Sequence, residues 1–260
     1  MLIEIDSLSG GYGNGDICKE ISCDLERGEI LSVLGPNGCG KTTLFRLLLG
    51  FLPPTGGDIR INGRSALEMT KKELAKLVAY IPQHHAPVFA YTVLEIIMMG
   101  RASHVSAFDH PKPVDREKAF TSMEKLHILH LANQTYTSLS GGQRQMVLIA
   151  RAICQDANIF VMDEPGANLD YANQQLLVDI IVDLAEQGYG IIMSTHSPEQ
   201  PFSIAHKVLL LKDGKNAAFG PPETAITSPV LEQVYGIEME VVSIVDRYEK
   251  KHTLCIPLHG

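Results

Sequence analysis

A chain of 260 residues has room for one large domain, or one domain with a sizeable insertion, and can bury a substantial core. It is 45% hydrophobic and 20% charged with a formal net charge of -8, an ordinary globular composition that argues against a general nucleic-acid binder. Five cysteines without C-x-x-C spacing read as reduced thiols of a cytosolic protein, and no apolar run approaches the roughly 18 residues of a membrane span, so any membrane role comes through a partner.

Taken along the chain, Met1 leads into Leu2-Ile3-Glu4-Ile5, which alternates like a strand and is not a basic targeting region. Met1 to Leu8, Ile17 to Leu25 and Asp58 to Ile61 alternate with Gly-rich turns between them, predicting an antiparallel subsheet. Ile30 to Leu34, Leu77 to Ile81, Ile159 to Met162, Gly190 to Ser194 and Lys207 to Leu211 are nearly continuous apolar runs, as expected for strands buried on both faces of a parallel sheet. Helical patterns at Thr42 to Leu49 and Ala172 to Gln187 supply crossovers, so the class is α/β. After Gln83 the strand-like runs stop. Thr92 to Gly100 and Asp115 to His130 read as helices around the loop His110-Pro111-Lys112-Pro113, and Arg144 to Cys154 as a third. The expected organisation is a core of residues 1–83 and 156–225, a helical subdomain inserted at 84–155, and a C-terminal extension at 226–260 with a helix and two strands.

Gly35-Pro36-Asn37-Gly38-Cys39-Gly40-Lys41-Thr42, followed by Thr43, matches G-x-x-x-x-G-K-[ST] between a buried strand and a helix. In this motif the glycines let backbone N–H groups surround a β-phosphate, Lys41 reaches β- and γ-oxygens, and the Thr42 hydroxyl binds Mg²⁺. The strand Ile159 to Met162 ends in Asp163-Glu164, at the sheet edge where doubly wound folds bind ligands. Asp163 suits a magnesium-side carboxylate and Glu164 a general base for water. A thiol at position 39, at a helix N-terminus, is expected to have a depressed pKa. Two glycines follow Ser140 in Leu139-Ser140-Gly141-Gly142-Gln143, with Ser140 and Gln143 spaced as a capping box. Glycine costs a helix about 1 kcal/mol against alanine; what the pair offers is bare N–H groups at a positive helix end, suited to a second anion.

The pairing of a phosphate loop with LSGGQ resembles the ATP-binding cassette family. Gln83, the signature at 139–143, Asp163-Glu164, Asp170 and His196 follow in that family's order over essentially the whole chain. The resemblance implies a P-loop NTPase core with an N-terminal antiparallel β-subdomain and an inserted helical subdomain. It implies ATP and Mg²⁺ as ligands, with Gln83 reaching magnesium and water, His196 touching the γ-phosphate, and Tyr12 stacking on adenine. It further implies that Ser140, Gly141, Gly142 and Gln143 of one copy close on ATP held by Gly35, Asn37, Gly38, Cys39, Gly40, Lys41, Thr42 and Thr43 of a second copy. Asp170 is retained in the following loop, whereas Gly166-Ala167-Asn168 departs from the usual Thr-Ser-Ala.

N-K-x-D is absent, which removes a GTPase, and no long coiled-coil insertion or second cassette is present. Tyr91-Thr92-Val93-Leu94-Glu95 with Met99-Gly100-Arg101, and Phe219-Gly220-Pro221-Pro222-Glu223 with Val234-Tyr235-Gly236-Ile237, are similar to ATPases of metal-chelate importers of the iron-siderophore, haem, cobalamin and molybdate type. The expectation is therefore the ATPase of such an importer at the cytoplasmic face of the membrane, held there by an integral-membrane permease and served indirectly by a solute-binding protein. The alternatives are an exporter ATPase with the same enzymology and a non-transport protein switched by ATP.

Overall fold

The computed structural model describes residues 1–13, 15–83, 89–105, 110–167, 169–249 and 251–258; Asn14 and Asn168 lie outside them. The chain forms two compact units, Met1–Glu68 with Ala185–Gly260, and Met69–Leu184.

The first unit begins with β1 (Ile3–Tyr12) and β2 (Gly15–Leu25), paired antiparallel. Ile3, Ile5 and Leu8 of β1 are buried between exposed neighbours, the alternation of a sheet with one covered face. A register shift between Ile5 and Leu8 explains why the pattern slips by one residue there. β3 (Ile30–Leu34) is buried at all five positions, and α1 (Lys41–Leu48) follows. β4 (Gly56–Ile61) and β5 (Arg64–Ser65) complete an antiparallel sheet ordered β2-β1-β4-β5.

The second unit holds α2 (Lys71–Leu77), β6 (Val78–Ile81), α3 (Val93–Met98), α4 (Pro113–Lys125), α5 (Gly141–Cys154), β7 (Ile159–Met162) and all but the last two residues of α6 (Tyr171–Glu186). β6 and β7 run parallel in register from Val78 opposite Ile159 to Ile81 opposite Met162. Two predicted helices come out shorter than their apolar pattern. The segment from Thr92 tightens into a 3₁₀ turn at Met99–Ser103, where Gly100 lies so close to α5 that a Cβ would stand 2.3 Å from the Arg151 carbonyl. The segment to His130 stops at Lys125, and His127 takes a left-handed φ of 55°, which ends α-helical geometry.

The chain returns to the first unit through β8 (Gly190–Thr195), α7 (Pro201–Ile204), β9 (Lys207–Lys212), β10 (Lys215–Gly220), α8 (Pro222–Ala225), α9 (Ser228–Tyr235), β11 (Met239–Val245) and β12 (Lys251–Pro257). β3 runs parallel to both β8 and β9, so its backbone is paired along both edges, while β10 pairs antiparallel with β9. The hairpin of β11 and β12 and helix α9 extend the core around Leu34, Val208, Leu210, Leu231 and Val234.

One buried ion pair anchors the helices of the second unit. Arg101 Nε donates to Asp115 Oδ1 at 2.9 Å and Arg101 Nη1 to the Cys154 carbonyl at 2.9 Å, at the end of α5. The Lys112 N–H donates to the other Asp115 oxygen. Arg101 first, then this N–H, holds the Asp115 carboxyl below the usual carboxylate range. That contribution is complete above the unfolded value of about 3.9 and is lost as pH falls through the lower folded value. Arg101→Met strands a buried carboxylate, and we expect a stability loss of about 3–5 kcal/mol, read as a lower urea midpoint with an unchanged slope; a midpoint equal to the parent contradicts the anchor.

Candidate functional site

The phosphate loop is shaped by where β3 ends. Leu34 is fully buried, and Gly35 then passes so near β9 that a Cβ would meet the Leu211 carbonyl at 2.4 Å. Gly38 and Gly40 adopt φ of 80° and 112°, a region L-residues avoid. Gly40 is the N-cap of α1 and carries no side-chain cap, so the helix presents its first N–H groups without an internal acceptor of that kind. The loop is braced from behind, with Gly214 N–H donating to Cys39 O at 3.1 Å and Lys19 N–H to Gly214 O at 2.7 Å.

Lys41 is buried, and its ammonium donates to the carbonyls of Gly35 at 2.7 Å and Pro36 at 3.3 Å. Asn37 and Thr42 are exposed, Thr43 is buried. A helix start without a side-chain cap, an ammonium within the loop and glycines in conformations closed to L-residues fit a polyphosphate. The exposed Thr42 hydroxyl and, in the second unit, the Asp163 carboxylate are hard oxygen donors of the kind Mg²⁺ prefers.

β8 ends at Thr195 directly opposite Leu34, so His196 and Gly35 leave the sheet at the same carboxyl edge; His196 is exposed there. Tyr12 closes β1 and is half-exposed. Arg46 of α1 donates to its hydroxyl, with the guanidinium carbon 5.6 Å from the ring centroid, a distance at which cation–π attraction acts. Arg46 belongs to no motif, and nothing in the sequence pointed to its contact with Tyr12.

In the second unit the register of β6 and β7 brings Gln83 and Glu164 together. Each follows its strand by two residues, and Gln83 Nε2 donates to Glu164 Oε2 at 2.7 Å. Asp163 is buried and its N–H donates to the Ile81 carbonyl, continuing the ladder. Glu164 sits at φ 44°, a left-handed conformation that costs a non-glycine residue on the order of 1–3 kcal/mol and clusters at working sites.

The predicted capping box at the second helix start is present. Ser140 N–H donates to Gln143 Oε1 at 3.0 Å and Gln143 N–H to Ser140 Oγ at 3.3 Å. The helix begins at Gly141, so both glycines belong to its first turn, with Gly141 exposed and Gly142 buried. Asp170 plays the same part for α6, accepting the Asn173 N–H at 2.8 Å.

The expectation for Cys39 is corrected. The side chain is 4% exposed, and burial raises its pKa, with the Lys41 charge and neighbouring N–H groups offsetting only part of the rise. Helix position alone does not activate a thiol that water cannot reach.

Residues 18–167 match the ABC transporter family model. The chain belongs to the ABC transporter family. The ABC ATPase is 40% identical over 222 residues to the molybdate import ATP-binding protein MolC of Haemophilus influenzae, covering 85% of this chain and 82% of that one. It is 31% identical over 238 residues to the ferric enterobactin transport ATP-binding protein FepC of Escherichia coli, covering 91% and 88%. Among solved structures, a chain described as belonging to a metal-chelate type ABC transporter in an inward-facing conformation superposes with a TM-score of 0.89 at 35% identity, covering 99% of this chain and 98% of that one. The fold is therefore that of an ABC ATPase. Among the described residues no helix is long and apolar enough to cross a membrane.

For this ABC ATPase, a small thiol reagent at neutral pH should label Cys39 at least about tenfold more slowly than in the urea-denatured chain, because burial suppresses the thiolate. Labelling at equal rates in the two states contradicts the raised pKa.

Proposed function

We propose that this chain is the ATP-hydrolysing subunit of an importer of metal chelates or oxyanions, acting on a membrane permease at its cytoplasmic face. The observation that carries this reading is full-length similarity to a metal-chelate type transporter chain. Relatives named for molybdate, ferric enterobactin and hemin import support it. The cargo itself is read by the permease and a solute-binding protein.

In this reading Gly35 to Thr43 binds the phosphates of ATP, Lys41 neutralises β- and γ-oxygens, and Tyr12, steadied by Arg46, stacks on adenine. Thr42, Gln83 and Asp163 are the residues that would hold Mg²⁺, which when bound neutralises the charge that builds on the phosphates. Glu164 takes a proton from the attacking water, and His196 contacts the γ-phosphate. Gln83 restrains Glu164 through its amide N–H in the geometry described above, and the oxygen of the same amide is the atom that would hold the cation. Leu139 to Gln143 acts in trans, on nucleotide held by a second copy of this chain, so the working form is a dimer. The helical segment 84–155 grips the permease and carries the signature with it. ATP closes the dimer, hydrolysis reopens it, and the permease responds to that change of state.

Two measurements test this. Glu164→Gln should bind ATP and dimerise as the parent does while hydrolysis falls by roughly 10²–10⁴; turnover near the parental rate removes Glu164 as the base. Co-expressed with its cognate metal-chelate permease, the ATPase should co-purify with it in detergent and hydrolyse ATP faster in the complex. A complex whose transport runs outward, or a chain that neither binds nor responds to a permease, overturns the importer reading.

A further inference from the structure

The two glycines that open α5 stand in different surroundings. Gly141 is exposed, whereas a Cβ built on Gly142 would lie 2.7 Å from both Cγ and Oδ1 of Asn173 and 3.0 Å from its Nδ2. Neither glycine is among the residues with positive φ, so backbone conformation does not call for glycine at 142. What its missing side chain provides is room for the Asn173 amide. That amide is held in place: Nδ2 donates to Asp170 Oδ1 at 2.9 Å, the same oxygen that accepts the Asn173 N–H at 2.8 Å. The next residue holds the preceding loop, with Gln174 Nε2 donating to the carbonyls of Gly166 and Leu169 at 3.2 Å each. The loop they secure starts from Glu164, whose carbonyl accepts the Ala167 N–H at 3.1 Å.

The geometry points to Asn173 as a positioning residue that fixes the start of α5, and with it Ser140 to Gln143, against the loop that follows Glu164. It rests on the proposed reading that this helix start engages nucleotide. Asn173 does not touch nucleotide; it sets where the bare N–H groups of Gly141 and Gly142 stand. Gly142 is then small because its one Cβ direction faces the Asn173 amide, which explains why the pair is not a single glycine. A methyl group at 142 requires the Asn173 amide to shift, and the shift strains the bond that ties this short side chain to Asp170.

The test is a double-mutant cycle on the full-length protein, reading kcat, KM, monomer ATP affinity and thermal midpoint for Gly142→Ala, Asn173→Ala and the double variant. Alanine is the better helix former, so a purely local effect of Gly142→Ala leaves the midpoint equal or raised. We expect Gly142→Ala to lower kcat about tenfold with ATP affinity of the monomer within about twofold of the parent, and the same change to cost less than about twofold once Asn173 is alanine. An equal loss in both backgrounds overturns the inference, since the added methyl would then be acting on something other than Asn173. Parental kcat and KM in Asn173→Ala overturn it as well. Asn173→Ser carries the same comparison if the alanine variant does not fold. Ser140→Arg separates the two layers: if it keeps parental turnover, the reading of this helix start as a nucleotide site fails, whereas its inactivity together with an additive cycle removes the role of Asn173 alone.

Discussion

Burying an ammonium inside a glycine loop is the constraint on which the phosphate site depends. Lys41 donates to the carbonyls of Gly35 and Pro36, and carbonyl dipoles orient a charge without cancelling it. The loop is thereby arranged to favour an anion. Much of the first unit supports that arrangement: β3 lies parallel to β8 and β9, Gly35 needs the close passage by Leu211, and the Gly214 turn holds the loop from behind. A polyphosphate ligand completes an electrostatic balance that the protein alone leaves tilted toward positive charge.

The two glycine-bearing helix starts solve different problems. At α1 the N-cap is a left-handed glycine without a side-chain acceptor, leaving first-turn N–H groups to a ligand wrapped by the loop. At α5 the reciprocal bonds of Ser140 and Gln143 already satisfy two N–H groups, and of the glycine pair only Gly141 is exposed. A loop that surrounds its ligand suits tight hold on a polyphosphate; a helix start already capped by its own side chains suits contact that forms and breaks with each cycle. That difference in construction matches a device in which one half-site binds and the other closes over it.

Much of this was legible in the sequence because burial on both faces of a parallel sheet removes the polar alternation that blurs strand limits. Ile30–Leu34 and Ile159–Met162 were read to the residue, and the other apolar runs to within one. The motif residues were legible because phosphate chemistry restricts what can stand at positions 35, 40, 41 and 42. Contacts made by folding were not. Gln83 and Glu164 are 81 positions apart, and only the parallel register of β6 and β7 joins them. Arg46 and Asn173 carry no pattern of their own, since each acts through a neighbour the fold supplies. Cys39 was misread for the same reason: the helix end was visible, the burial that outweighs it was not.

The central claim is that a complete catalytic site is made from two copies, one contributing the phosphate loop and the other the start of α5. Mixing two inactive variants tests it most directly, one chain carrying Lys41→Ala with an intact signature and the other Ser140→Arg with an intact phosphate loop. The account predicts that each variant alone hydrolyses ATP at background rates and that the mixture regains activity, because one pairing restores a full site. A mixture as inactive as its components would contradict it, placing both helix starts on the same nucleotide of a single chain.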